Sequence, residues 1–191
     1  MRSKHKAAGW VLTLLSSVAV CLLPASWMLS AFGVPCNSLI SDEGLRWLFH
    51  HLSELTATPL TACTLVYAMA AGALRLCLRI HAQGRQPLAL ATTLMAALAL
   101  VTLLGLSALL PQSPLLGITG GLWPSPLLHG LPFMGGWALL ALALTYAAAA
   151  GRLTSARQMA QWLTLGIRRH AAWVVAAMLL SFIHGVLHYM L

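Results

Sequence analysis

Of the 191 residues 60% are hydrophobic and 7% charged, with a mean hydropathy of +0.84; an ordinary soluble domain carries about 25% charged residues, so no water-soluble surface can be built from this composition. The formal charge of +8 comes from 11 Lys and Arg against 3 acids, and the bases punctuate apolar runs instead of forming a patch, which speaks for membrane orientation and against a nucleic-acid partner. Cys21, Cys36, Cys63 and Cys77 have no C-x-x-C spacing, so neither a disulfide framework nor a zinc site is expected.

In chain order, Arg2, Lys4 and Lys6 precede an apolar run from Trp10 to Phe32, long enough to cross about 30 Å of hydrocarbon. A signal peptide shares this pattern, but the length, the internal Pro24 and Trp27 and the missing A-x-A site favour an uncleaved first span, 10–32, kinked at Pro24. After a loop, Ser41-Asp42-Glu43 reads as a helix start, with an N-cap hydroxyl and two acids at the positive end of the dipole. Leu45, Leu48, Phe49, Leu52 and Leu55 then fall on one face, away from Arg46, His50 and Glu54, as in an amphipathic helix lying in the interface over 41–55. A second span follows over 56–78.

Pro87 opens the third span, 87–110, at a position where its missing N–H costs nothing. The uncharged Pro- and Gly-rich stretch 111–125 predicts a loop or a shallow re-entrant turn. A fourth span, 126–150, ends at Gly151-Arg152. Ser155 and Gln158 form a capping box that opens a second interfacial helix, 155–169, and 171–190 is the fifth span. The expected fold class is therefore all-α: a polytopic membrane protein, one membrane domain over 1–191, with five transmembrane helices and two interfacial amphipathic helices.

Charge fixes the expected orientation. With the N-terminus cytoplasmic, Arg2, Lys4, Lys6, Arg75, Arg79, Arg85, Arg152, Arg157, Arg168 and Arg169 lie inside. Arg46 alone lies outside, together with Asp42, Glu43 and Glu54. This is a strong positive-inside pattern, placing the C-terminus outside and the chain in the inner cell membrane.

Ionisable groups within membrane spans are functional candidates. They are Glu54 at the edge of the second span, His129 in the first turn of the fourth, His184 and His188, which share one face of the fifth at i, i+4, and His50 and His51 on the first interfacial helix. The histidine pair is of the type that holds a metal or, on facing helices, haem. The plainer reading has His184 packed neutral, His188 in the interface, Glu54 solvated and Arg75 snorkelling. Gly135-Gly136 suits close helix packing. No GxSxG, HExxH or P-loop is present, so no catalytic residue, cofactor or metal is expected and the chain is read as a non-enzyme.

Two groups of residues carry a family resemblance. Ser125-Pro126-Leu127, Gly130, Thr145-Tyr146 and Gly151-Arg152-Leu153-Thr154-Ser155 form one; Asn37-Ser38-Leu39-Ile40-Ser41-Asp42-Glu43-Gly44-Leu45-Arg46, followed by Pro59-Leu60, forms the other. In order along most of the chain they resemble segments of the p-aminobenzoyl-glutamate transporter family. That family is more than twice as long, with framework helices that make a dimer contact and two re-entrant hairpins that hold substrate and sodium. Here the link from the second to the third span is short, nothing after Leu191 corresponds to the second hairpin, and Ala156 and Gln158 replace aspartates. The resemblance implies a shortened member that keeps the framework helices: a transport-related scaffold in the lipid bilayer, a homodimer, with a membrane partner supplying a transport domain. The alternatives are an autonomous small transporter of aromatic amide or folate-breakdown compounds acting as an oligomer and, third, a haem- or metal-binding membrane protein.

Overall fold

The computed structural model describes residues 2–83, 87–109 and 126–191, and all of its regular structure is helical: α1 Arg2–Ala31, α2 Asp42–Thr56, α3 Pro59–Gln83, α4 Pro87–Leu109, α5 Pro126–Ala149 and α6 Ala156–Met190. The expected loop or re-entrant turn at 111–125 lies outside the described residues. Five helical stretches among those described are long and apolar enough to cross a membrane: Ala8–Ala31, Asp42–Arg79, Pro87–Leu106, Gly130–Ala149 and Ala156–Met190. The chain is thus an all-helical, multi-pass membrane protein.

Local chemistry accounts for most helix ends. α3, α4 and α5 each open on proline, the residue whose fixed φ suits a first helical position. α1 and α5 close in the same way. Gly33 and Gly151 take positive φ, 78° and 68°, and paired bonds run back to the last turn: Val34 to Leu29 O and Gly33 to Ser30 O, then Arg152 to Ala147 O and Gly151 to Ala148 O. This is the Schellman arrangement, which uses a left-handed glycine to satisfy the final carbonyls. At the start of α2 the Ser41 hydroxyl accepts from the Gly44 amide at 3.0 Å, as the sequence implied.

α1 is one helix with Pro24 inside it. Two expectations change. The capping box at α6 is wider than the usual one: the Gln158 amide donates to Ser155 Oγ, but the Gln158 side chain accepts from Thr154, one residue before the cap. The segments expected as a separate interfacial helix and fifth span are one helix of 35 residues. Arg168-Arg169-His170 marks a change of polarity, and no proline or capping residue is there to end the helix.

Contacts divide the chain into two compact units: Met1–Thr64 with His170–Leu191, and Leu65–Arg169. In the first, Leu39, Leu55, Val186 and Met190 form the buried centre, with Leu22, Leu23, Trp47 and Phe182 against it. The second is built on small residues, Ala70, Ala73, Ala89, Ala143 and Ala147, together with Cys77, Leu140 and Tyr146. There α3 meets α6 without intervening side chains. A Cβ on Gly72 would run into Gly166, and one on Gly166 into the Ala68 carbonyl. Gly136 is held similarly close to Val66. Membrane helices lack a hydrophobic drive toward one another, and small residues at a crossing let their backbones approach closely enough for dispersion to hold them. The α4 helix packs on α5 yet buries only 6% of its membrane window, the same share as α1, against 39% for Asp42–Arg79. Leu94, Val101 and Leu103 are all more than 60% exposed, a surface made for acyl chains.

Candidate functional site

The first unit contains a pocket of about 700 Å³ between α2, the start of α3 and the C-terminal part of α6. Its origin is an interruption in the helix path. Pro59 offers no amide to close a turn onto Leu55 and disfavours helical geometry at Thr58, so α2 ends at Thr56 and α3 begins at Pro59. The Thr61 hydroxyl bridges the break, 2.9 Å from the Thr56 carbonyl and 2.7 Å from that of Thr58. The Thr58 hydroxyl in turn pairs with Ser181 of α6 at 2.6 Å. The interruption is therefore anchored by side chains.

Of the residues singled out from sequence, Glu54, His184 and His188 line this pocket together. His129 does not join the description: it falls in the first turn of α5, and its side chain lies outside the described residues. Trp47, His51, Thr58 and Ser181 complete the polar and aromatic wall. His51 follows His50 on the helix expected to lie in the interface. Its Nδ1 is 2.9 Å from the Trp47 carbonyl, and because a carbonyl only accepts, Nδ1 is the donor of that bond. Trp47 stacks on Tyr189 with centroids 4.0 Å apart and on His51 at 5.0 Å, so the aromatic wall is fixed from both sides.

The missed signal was the orientation of α2. Its inward stripe is Gly44, Trp47, Leu48, His51 and Leu55, whereas Leu45, Phe49 and Leu52 are exposed. The apolar face expected from periodicity is thus divided between protein and surroundings. The start of α2 is pressed against the preceding loop, where a Cβ on Gly44 would strike the Ser38 carbonyl. That loop is tied down at two more points. The Ser26 hydroxyl accepts from the Leu39 amide at 3.0 Å and donates to the Leu23 carbonyl at 2.7 Å. Asn37 donates its backbone amide to Met190 O at 3.1 Å and its side-chain amide to Tyr189 O at 2.9 Å, capping the end of α6 from another part of the chain.

Chemically, the pocket offers an apolar and aromatic lining with one carboxylate and three imidazoles at its edges. Among the described residues no group of three or more His, Cys, Asp or Glu is arranged to hold a metal ion. Comparison with protein-family models, with curated proteins and with solved structures finds no match to the chain.

Proposed function

We propose that the chain is a non-enzymatic membrane scaffold, equivalent to the framework part of a p-aminobenzoyl-glutamate-type secondary transporter. It acts as a homodimer in the inner membrane, with its N-terminus in the cytoplasm and its C-terminus outside. The observation that supports this reading is the work done by the residues of the resemblance. Asn37 caps α6, Ser41 caps α2, Gly44 admits the backbone of the loop, Gly151 closes α5 and Ser155 opens α6. They are joints of a helical frame, the part of a transporter that holds its shape while other segments move substrate. In this reading α2 lies in the outer interface, its exposed Leu45, Phe49 and Leu52 turned toward lipid. A membrane partner supplies the transport segments.

Photo-cross-linking of the full chain in native membranes is expected to give a dimer across a wide range of expression levels. Monomer alone would sink the proposal. A reporter that works only outside the cytoplasm is expected to be active when fused after Leu191; an inactive fusion there, with a reporter that works only in the cytoplasm active at the same position, would reverse the orientation.

The pocket at the α2–α3 break favours a second reading, an autonomous small transporter working as an oligomer, with aromatic amides as the substrate class implied by the resemblance. Interrupted helices beside a cavity are a feature of secondary transporters. Proteoliposomes containing only this chain separate the two readings: the scaffold takes up no p-aminobenzoyl-glutamate, and the autonomous transporter does.

A further inference from the structure

Residues 65–169 include Arg75, Arg79, Arg85, Arg152, Arg157, Arg168 and Arg169 and not one Asp or Glu. No carboxylate of this unit can therefore neutralise them. Arg75 and Arg79, at i, i+4 on α3, share a face, and with Arg169 of α6 they line one pocket of about 410 Å³. Leu76, Leu78 and Leu165 supply its apolar wall. Gly72 also borders the pocket, and the contact of Gly72 with Gly166 brings α3 near enough to α6 for arginines of both helices to share it.

The position along α6 sets the depth. From Ala171 to Met190 that helix is apolar apart from its histidines and a serine, and at 1.5 Å per residue this stretch spans about 30 Å, the thickness of the hydrocarbon layer. Arg169 lies just before it, at the level where lipid phosphates begin. Three exposed guanidiniums gathered at that level repel one another unless an anion sits among them, and guanidinium forks match phosphate oxygens in pairs. A basic pocket between helices at the cytoplasmic boundary is a site type for acidic headgroups.

We propose that this pocket binds an anionic phospholipid, its phosphate held by Arg75, Arg79 and Arg169 and the start of its acyl chains lying on Leu76, Leu78 and Leu165. The leucines decide between lipid and free phosphate, since a soluble anion gains nothing from an apolar wall. The assignment rests on the proposed cytoplasmic placement of this end of α6, and not on the scaffold role or the resemblance.

The test uses the full-length chain, delipidated in non-ionic detergent, with lipid retention read by native mass spectrometry. Phosphatidylglycerol is expected to be retained at least about tenfold better than phosphatidylcholine. Arg75→Gln, Arg79→Gln and Arg169→Gln should each weaken that retention about fivefold, as expected for one basic residue at a lipid surface. Arg157→Gln, whose side chain is outside the pocket, should leave it within about twofold. Lys at any one of the three positions keeps the charge but loses the paired fork, so its retention should fall between that of the wild type and that of the matching Gln variant. Equal retention of the two lipids, an Arg157→Gln effect as large as the others, or Lys variants as defective as the Gln variants would overturn the proposal. Displacement of phosphatidylglycerol by millimolar inorganic phosphate would assign the arginines to a soluble anion and overturn it too.

Discussion

The two units hold their helices by different means. In Leu65–Arg169 the α3–α6 contact is glycine on glycine, Gly72 against Gly166, so the two backbones touch at the crossing and the basic pocket opens only beside it. In the other unit α2 and α6 are joined through large and polar side chains, with Trp47 stacked on Tyr189 and Thr58 bonded to Ser181, and a cavity of about 700 Å³ remains beside them. Close backbone approach holds the helices tightly and leaves no room at the crossing itself. Side-chain spacers keep room for a ligand, but the joint then depends on a few specific contacts. If this contrast is right, volume added to the first joint and atoms removed from the second should both be costly, by different routes.

The largest effect is expected at the glycine seam. Gly166→Leu has to displace backbone, because even a Cβ meets the Ala68 carbonyl, and it should prevent the unit from assembling. Gly166→Ala should cost about 1–3 kcal/mol, the usual range for overpacking a tight contact. Gly105 of α4 has nothing within 4 Å of its added Cβ, so Gly105→Ala should be neutral or stabilising by up to about 1 kcal/mol, from helix propensity. Reversible unfolding in mixed detergent micelles measures all three. Equal costs at Gly105 and Gly166 would remove the distinction between the two joints.

In the spacer joint, Trp47→Ala is expected to cost about 2–4 kcal/mol, from the lost ring volume and the lost stacking on Tyr189 and His51. It should also enlarge the pocket, so an environment-sensitive apolar dye should bind more strongly to the variant. Ser26→Ala comes next, at about 1–3 kcal/mol. The Ser26 side chain is completely buried and is the acceptor for the Leu39 amide, which alanine would leave unpaired.

What sequence could reveal follows from the same physics. Hydropathy and caps are local, so the spans, the Ser41 cap and the Pro87 start were all legible, as was the stop at Gly151-Arg152. Glu54, His184 and His188 were legible as unusual residues, and their convergence on one pocket was not. In water an apolar stripe marks the protein-facing side of a helix. In a membrane the lipid-facing side is apolar too, so periodicity could not tell that Trp47 and His51 face α6 while Phe49 and Leu52 face outward. Gly72 and Gly166 gave no signal for a related reason: a contact glycine looks like any other small residue until its partner helix is known. In sequence Arg75 and Arg169 stand apart, one a snorkelling base and the other an inside charge, and only the fold joins them.

The smallest expected effect is also the one that separates geometry from mere polarity. Asn37 is exposed, and Asn37→Ala removes one side-chain bond to Tyr189 O while leaving the backbone bond to Met190 O in place. Water can replace the lost donor, so the cost should be about 0.5–1 kcal/mol, seen as faster amide exchange in the last turn of α6. Asn37→Asp has nearly the same shape and is equally hydrophilic. If Asn37 served only to keep the loop wet, aspartate would be harmless. A carboxylate, however, has no proton to donate to Tyr189 O, and it would place negative charge beside the negative end of the α6 dipole. Asn37→Asp should therefore be worse than Asn37→Ala by about 0.3–1 kcal/mol, and the gap should narrow in high salt. An aspartate variant as stable as wild type would mean that the Asn37 side chain does not hold this loop, which then rests on Ser26, Gly44 and the backbone bond to Met190 O.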